Sequence, residues 1–168
     1  MRRILDRKLG MLRNAIFGVQ DSLGSTCGFL SGVAVSGAEK RYILVSGVVL
    51  IFVEAFSMAV GTLISEHSIE EFNEKKSLNI FRSIRNSGVM FFSYFVAGFI
   101  PLVPYLIFDE RIRLYISIVF SVLVLVLLAI VNSKLLGLKV VHHLIEIVVV
   151  GSIAIVAGVI IGGLVSVG

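Results

Sequence analysis

The sequence has few charged residues, a single cysteine and only two prolines. Charged side chains make up 15% of the 168 residues, against about 25% in ordinary globular chains. The hydrophobic share is 57% and the mean hydropathy is +1.02, which excludes an ordinary soluble domain. The lone Cys27 excludes a disulfide within the chain. The composition therefore predicts a helical protein that crosses a lipid bilayer several times.

Sequence motifs of catalysis and nucleotide binding are also missing. The chain has no phosphate-binding glycine loop, no serine–histidine pair and no cysteine cluster, so we expect neither an enzyme nor a bound cofactor. The net charge of +4 comes from basic residues beside hydrophobic runs, as in membrane-protein loops, and does not indicate nucleic-acid binding. The basic N-terminal stretch lacks the short apolar run and cleavage site of a signal peptide.

Long hydrophobic runs predict an all-α membrane protein with five transmembrane helices in one transmembrane domain, 1–168. A hydrocarbon core of about 30 Å needs about 20 apolar residues per helix. Five segments meet this length, at about 14–36, 42–64, 88–108, 114–132 and 144–167. Residues 1–13 predict an amphipathic helix that lies on the membrane surface or extends the first span. Residues 65–87 predict a short cytoplasmic loop.

The basic residues predict the orientation of these spans. Most of the 15 lysines and arginines fall on the side of the N terminus and the 65–87 loop. Cytoplasmic loops carry the excess of Lys and Arg. We therefore expect a cytoplasmic N terminus and, after five crossings, a C terminus outside.

A carboxylate, Asp21, lies inside the first predicted span, where it costs on the order of 2.5–3.5 kcal/mol on insertion scales. At about 100° per residue it shares a helix face with Ser25, Gly28 and Gly32. Gly24, Gly28 and Gly32 recur every four residues, a pattern that lets another helix approach closely. Asp21 is thus predicted to face protein, as part of an ion or proton pathway. A single structural hydrogen bond is the alternative.

The second span carries Glu54 and Met58 one turn apart on one face. Carboxylates suit hard divalent cations, whereas a thioether favours softer metals. Together with Asp21, this pair predicts a transition-metal site, although a lone methionine usually serves core packing.

The remaining candidates are weaker. If the start of the 65–87 loop is helical, four side chains share a face and form either a solvated surface or a metal-collecting surface at a pore mouth: His67, Glu70, Glu71 and Glu74. Pro101 and Pro104 predict a kink in the third span. Gly158 and Gly162 predict a packing surface on the fifth span.

The first span, RNAIFGVQDSLGSTCGFLSGVA from Arg13, resembles the first helix of the vacuolar iron transporter family. The stretch SMAVG from Ser57 resembles an element of the family's second helix, and PLVPYL and the glycine-rich fifth span extend the resemblance over nearly the whole chain. The family's metal-handling aspartate and methionine fall on Asp21 and Met58.

This resemblance implies a homodimer of five-helix protomers with a translocation path along the dimer interface. Family members move Fe²⁺ or Mn²⁺ out of the cytosol, in exchange for protons. The chain departs from the family at Leu50 and Thr62, which stand where carboxylates are common. It also lacks the long cytoplasmic metal-binding domain of eukaryotic members, so it resembles a short prokaryotic form, expected in the plasma membrane.

The sequence leaves two alternatives to an iron or manganese transporter. One is a proton-coupled carrier of another substrate, whose carboxylates never touch metal. The other is a membrane scaffold that transports nothing, in which Asp21 only fixes how two helices pair.

Overall fold

The computed structural model describes residues 2–72, 80–137 and 140–165, and their regular structure is entirely α-helical. The helices are α1 (Arg2–Val35), α2 (Lys40–Phe72), α3 (Ile80–Ile107), α4 (Glu110–Leu136) and α5 (Val140–Val165). Helices that are consecutive in the chain contact each other in every case. The prediction of an all-α protein is confirmed for the described part of the chain.

Two of these helices end at a glycine whose backbone is left-handed. Gly37, with φ +87°, follows α1, and the Ala38 amide donates to the Val33 carbonyl at 3.4 Å. Gly137, with φ +67°, follows α4, and its amide donates to the Ser133 carbonyl. Because this conformation suits glycine and is strained for other residues, these two positions mark where the helices stop.

Helix α1 differs from the other four in its surface. Among the residues that the structure describes, four helices are long and apolar enough to cross a membrane, within Lys40–Ile69, Ile80–Ile107, Glu110–Leu136 and Val140–Val165, and α1 is not one of them. The reason is its content of glycine, serine and Asp21. Since α1 contacts each of the other four helices, much of its surface meets protein instead of lipid. That all five helices span the membrane stays a prediction.

The helices extend beyond the predicted spans. Helix α2 continues to Phe72 and α3 already begins at Ile80, so both ends of the predicted 65–87 loop are helical. Helix α1 runs without interruption from Arg2, which makes residues 2–13 an extension of the first predicted span. A helix satisfies its backbone hydrogen bonds internally and therefore need not stop where the apolar run ends. Residues 166–167 of the fifth predicted span lie outside the described residues.

The core is built around α1. Leu23 packs in one buried cluster with Ala97 of α3, Leu125 and Ala129 of α4, and Ile147 of α5. Leu30 packs in a second cluster with residues of α2 and α3: Ile43, Ile51, Leu102 and Tyr105. Large apolar side chains on the outward faces of α2, α4 and α5 are exposed, as expected for helices that face lipid.

The glycines of α1 and α5 bring the two backbones into contact. A Cβ atom added to Gly28 would lie 2.5 Å from the Ala154 carbonyl oxygen, and one added to Gly32 would lie 2.6 Å from the Gly158 carbonyl oxygen. Gly24 faces Gly151 in the same way, and Gly162 faces Gly32. The partner of the α1 glycine ladder is therefore α5 of the same chain.

Helix α3 stays one helix through Pro101 and Pro104. The Ser117 hydroxyl of α4 donates to the Pro101 carbonyl at 2.7 Å. The predicted kink at these prolines stays a prediction.

Candidate functional site

Helices α1 and α2 meet α3 at Gly98, where a larger side chain would not fit. A Cβ atom added there would lie 2.8 Å from Ile51 Cγ1 and 3.0 Å from Ser22 Oγ. Ser22 follows Asp21 directly, and Ile51 precedes Glu54 by three residues. Because Gly98 has no side chain, the segments of α1 and α2 that carry Asp21 and Glu54 can both pack against α3 at this position.

Two hydrogen bonds hold this part of α1 against α3, and both involve Tyr94. The Ser22 hydroxyl donates to the Tyr94 carbonyl at 2.7 Å. The Ser25 hydroxyl lies 2.6 Å from the Tyr94 hydroxyl, and either group can be the donor. Ser22 and Tyr94 are fully buried. Because both bonds are made within the turn that follows Asp21 on α1, they fix the position of this part of the helix.

Asp21 and Glu54 are both half-buried. The Glu54 carboxylate lies within electrostatic range of Asp21. Each also lies within electrostatic reach of the Tyr94 hydroxyl. Neither carboxylate forms an ion pair with a described residue. Two neighbouring carboxylates repel each other unless a cation or a proton neutralises them, so this arrangement suits either ligand.

Met58 lies one turn beyond Glu54 on α2 and is also half-buried. Its carbonyl accepts a hydrogen bond from the Thr62 hydroxyl at 2.8 Å. Thr62 stands where the resemblance places a carboxylate, and here its hydroxyl is bound to its own helix.

The face shared by Asp21, Ser25, Gly28 and Gly32 is divided between two neighbouring helices. Ser25 contacts α3, whereas Gly28 and Gly32 contact α5. The glycine ladder therefore packs α1 against α5, while the carboxylate region of α1 is held by α3.

The second predicted metal surface is at the end of α2. His67 and Glu71 are exposed, and Glu70 lies on the same helix. Glu74 lies outside the described residues. Over residues 2–72, 80–137 and 140–165, no group of three or more His, Cys, Asp or Glu side chains is placed to hold a metal ion.

Sequence reasoning missed Tyr94, Ser22 and Gly98 as parts of this region. Tyr94 carries the one available signal, a phenol in the middle of an apolar span. The role of Gly98 depends on two distant helices and has no local signature.

Comparison with known proteins identifies the family. The VIT family matches the chain over residues 12–87 and 73–163, nearly its whole length. The comparison with curated proteins gives no match. Four apolar helices of membrane-spanning length agree with a family of integral membrane proteins. The chain belongs to the VIT family, the vacuolar iron transporters, and is in general terms a membrane metal-ion transporter.

Proposed function

We propose that the protein exports Fe²⁺ or Mn²⁺ from the cytosol in exchange for protons. The observation that carries this proposal is that Asp21 lies within electrostatic range of Glu54, which precedes Met58 by one turn, and that neither carboxylate forms an ion pair with a described residue. Carboxylate oxygens bind both ions, and the thioether biases the site toward transition metals and against Mg²⁺ and Ca²⁺.

Proton exchange follows from the same two carboxylates. When the metal leaves, the repulsion between Asp21 and Glu54 returns, and uptake of a proton by one of them relieves it. Metal and proton therefore compete for one site. Competition of this kind couples the movement of one ion to the opposite movement of the other.

A homodimer completes the ligand set. Fe²⁺ and Mn²⁺ favour about six ligands, more than two carboxylates and one thioether supply. A two-fold axis beside α2 would bring a second copy of the same three groups. Helix α2 supports this because its exposed face carries Val53, Phe56 and Val60, while its contacts are with α1 and α3. The proposed setting is the plasma membrane of a prokaryote.

The test is transport by the purified protein in proteoliposomes with an imposed pH gradient. We expect Fe²⁺ and Mn²⁺ uptake together with proton movement in the opposite direction. Asp21→Ala should lower uptake at least tenfold, because it removes a charged ligand, and Met58→Ala should lower the preference for Mn²⁺ over Ca²⁺. Glu39→Ala, which removes an exposed carboxylate directly before the start of α2, is the matched control.

Three results would contradict parts of this proposal. Undiminished uptake by Asp21→Ala and Met58→Ala would refute the assigned residues. Metal-independent proton flux without Fe²⁺ or Mn²⁺ movement would favour a carrier of another substrate. Full function of Asp21→Asn in cells, with unchanged metal sensitivity, would favour a scaffold.

A further inference from the structure

A second polar cluster joins α1, α2 and α3 nearer to the start of α1. We call Asn14, Glu66 and Asn86 the inner cluster. Asn86 Nδ2 donates to Glu66 Oε1 at 2.7 Å and lies 3.0 Å from Oε2. Asn14 Nδ2 donates to Glu66 Oε1 at 3.5 Å. One carboxylate is therefore held by amides from two neighbouring helices, with no cationic side chain bonded to it among the described residues.

Two side-chain oxygens one turn apart on this part of α3 are buried and have no hydrogen-bond partner among the described residues. Asn86 is 1% exposed, and its Oδ1 has no partner. Ser83, which is fully buried one turn earlier on α3, likewise has an unpartnered Oγ. A buried acceptor that stays unpaired costs roughly 1–3 kcal/mol.

The asparagine amide can present either of its two ends to Glu66. The terminal torsion of asparagine is broad and about two-fold, so a half-turn exchanges Nδ2 and Oδ1 with little change in shape. With Nδ2 toward Glu66, as observed, the amide donates to the carboxylate. With Oδ1 toward Glu66, two oxygens face each other, and that arrangement is stable only around a cation.

The inner cluster involves the same two helices, α1 and α2, as Asp21 and Glu54, but lies at a different position along their axes. Asn14 precedes Asp21 by seven residues and shares its helix face, about 10 Å away along the axis. A Cβ atom added to Gly18, between these two levels, would lie 3.2 Å from Met90 Sδ. Because Gly18 has no side chain, the Met90 thioether lies next to α1 between the inner cluster and Asp21.

We propose that the inner cluster is a second divalent-cation site, in which the Glu66 carboxylate and the side-chain oxygens of Asn86 and Asn14 bind the ion. One carboxylate with neutral oxygens is a hard ligand set that suits Mn²⁺ or Fe²⁺. It carries less negative charge than the Asp21 and Glu54 region, so it binds more weakly and can pass the ion on. The role as a loading site rests on the proposed function.

The test is equilibrium binding of Mn²⁺ to the purified full chain in detergent, measured by the electron spin resonance signal of free Mn²⁺. Glu66→Gln keeps an acceptor oxygen for both amides and removes only the charge. We expect it to weaken one class of Mn²⁺ sites at least tenfold and to leave a second class unchanged. Asp21→Asn should do the reverse. Glu39→Gln, which neutralises an exposed carboxylate directly before the start of α2, should change neither class.

Asn86→Asp separates a cation site from a structural clamp. A second carboxylate beside Glu66 should tighten Mn²⁺ binding at least tenfold, and Mn²⁺ should raise the thermal stability of this variant more than that of the wild type. If Glu66→Gln binds Mn²⁺ with the same stoichiometry and affinity as Glu39→Gln, the inner site is refuted. If the wild type transports normally in that case, the proposed function stands alone. If Glu66-dependent binding is found without transport, the proposed function fails and the site stands.

Discussion

Replacing Gly28 by alanine tests the backbone contact between α1 and α5. The added Cβ atom would lie 2.5 Å from the Ala154 carbonyl oxygen and 2.9 Å from its carbonyl carbon. Both atoms are backbone, so no flexible side chain can move aside. Ordinary contacts begin near 3.4 Å, and the two helices must therefore separate locally by roughly 0.9 Å to restore a normal van der Waals distance.

The free energy of unfolding should fall accordingly. Overpacking of a well-packed region costs typically about 1–3 kcal/mol. Alanine also gains up to about 1 kcal/mol over glycine in helix propensity, which offsets part of the loss. Gly88→Ala is the matched control, because Gly88 lies within α3 and an added Cβ would meet no atom within 4 Å. The difference between the two variants isolates the clash, about 1–3 kcal/mol.

The assay is reversible unfolding in mixed micelles by titration with sodium dodecyl sulfate. Gly28→Ala should unfold at a lower detergent fraction than both the wild type and Gly88→Ala. Equal free energies of unfolding for the two variants, within about 0.5 kcal/mol, would show that α1 and α5 are not in backbone contact at Gly28.

Two further predictions concern α1 and its neighbours. Cys27 is fully buried on α1, with its Sγ 4.0 Å from Ser117 Oγ of α4, so a maleimide should label it slowly in the folded protein and rapidly after unfolding; equal rates would contradict its burial against α4. Tyr94→Phe removes the hydroxyl that lies 2.6 Å from Ser25 Oγ, and loss of such an interhelical bond should cost about 0.6 kcal/mol in the same unfolding assay. Its Mn²⁺ uptake should fall as well, because the hydroxyl lies within electrostatic reach of Asp21; uptake equal to wild type would place Tyr94 outside the site.

The sequence predicts the helical class because hydrophobic length and composition are local properties. It also leads to Asp21, since a carboxylate inside an apolar run stands out at once. It does not predict that Gly98 admits Ser22 and Ile51 to one point, because that contact joins three segments that are far apart in the chain.

The inner cluster is hidden for a different reason. Asn14, Glu66 and Asn86 each fall near an end of a predicted span, where polar residues are ordinary and carry no signal of their own. Their contacts exist only because α2 extends to Phe72 and α3 starts at Ile80, beyond the apolar runs that set the predicted boundaries. Helix continuation outside the membrane leaves no hydrophobic pattern to detect.

The central place of α1 has a consequence for how the protein is made. Helix α1 is synthesised first, yet it is the helix not apolar enough to qualify as a membrane span. Two contacts compensate for its low hydrophobicity: the backbone contact with α5 and the serine–tyrosine hydrogen bonds with α3. Both α3 and α5 are synthesised after α1. If α1 spans the membrane, its backbone contact with α5 can form only after α5, the last of the described helices, has been synthesised. A nascent chain that stops after α2 would hold α1 without either of these supports.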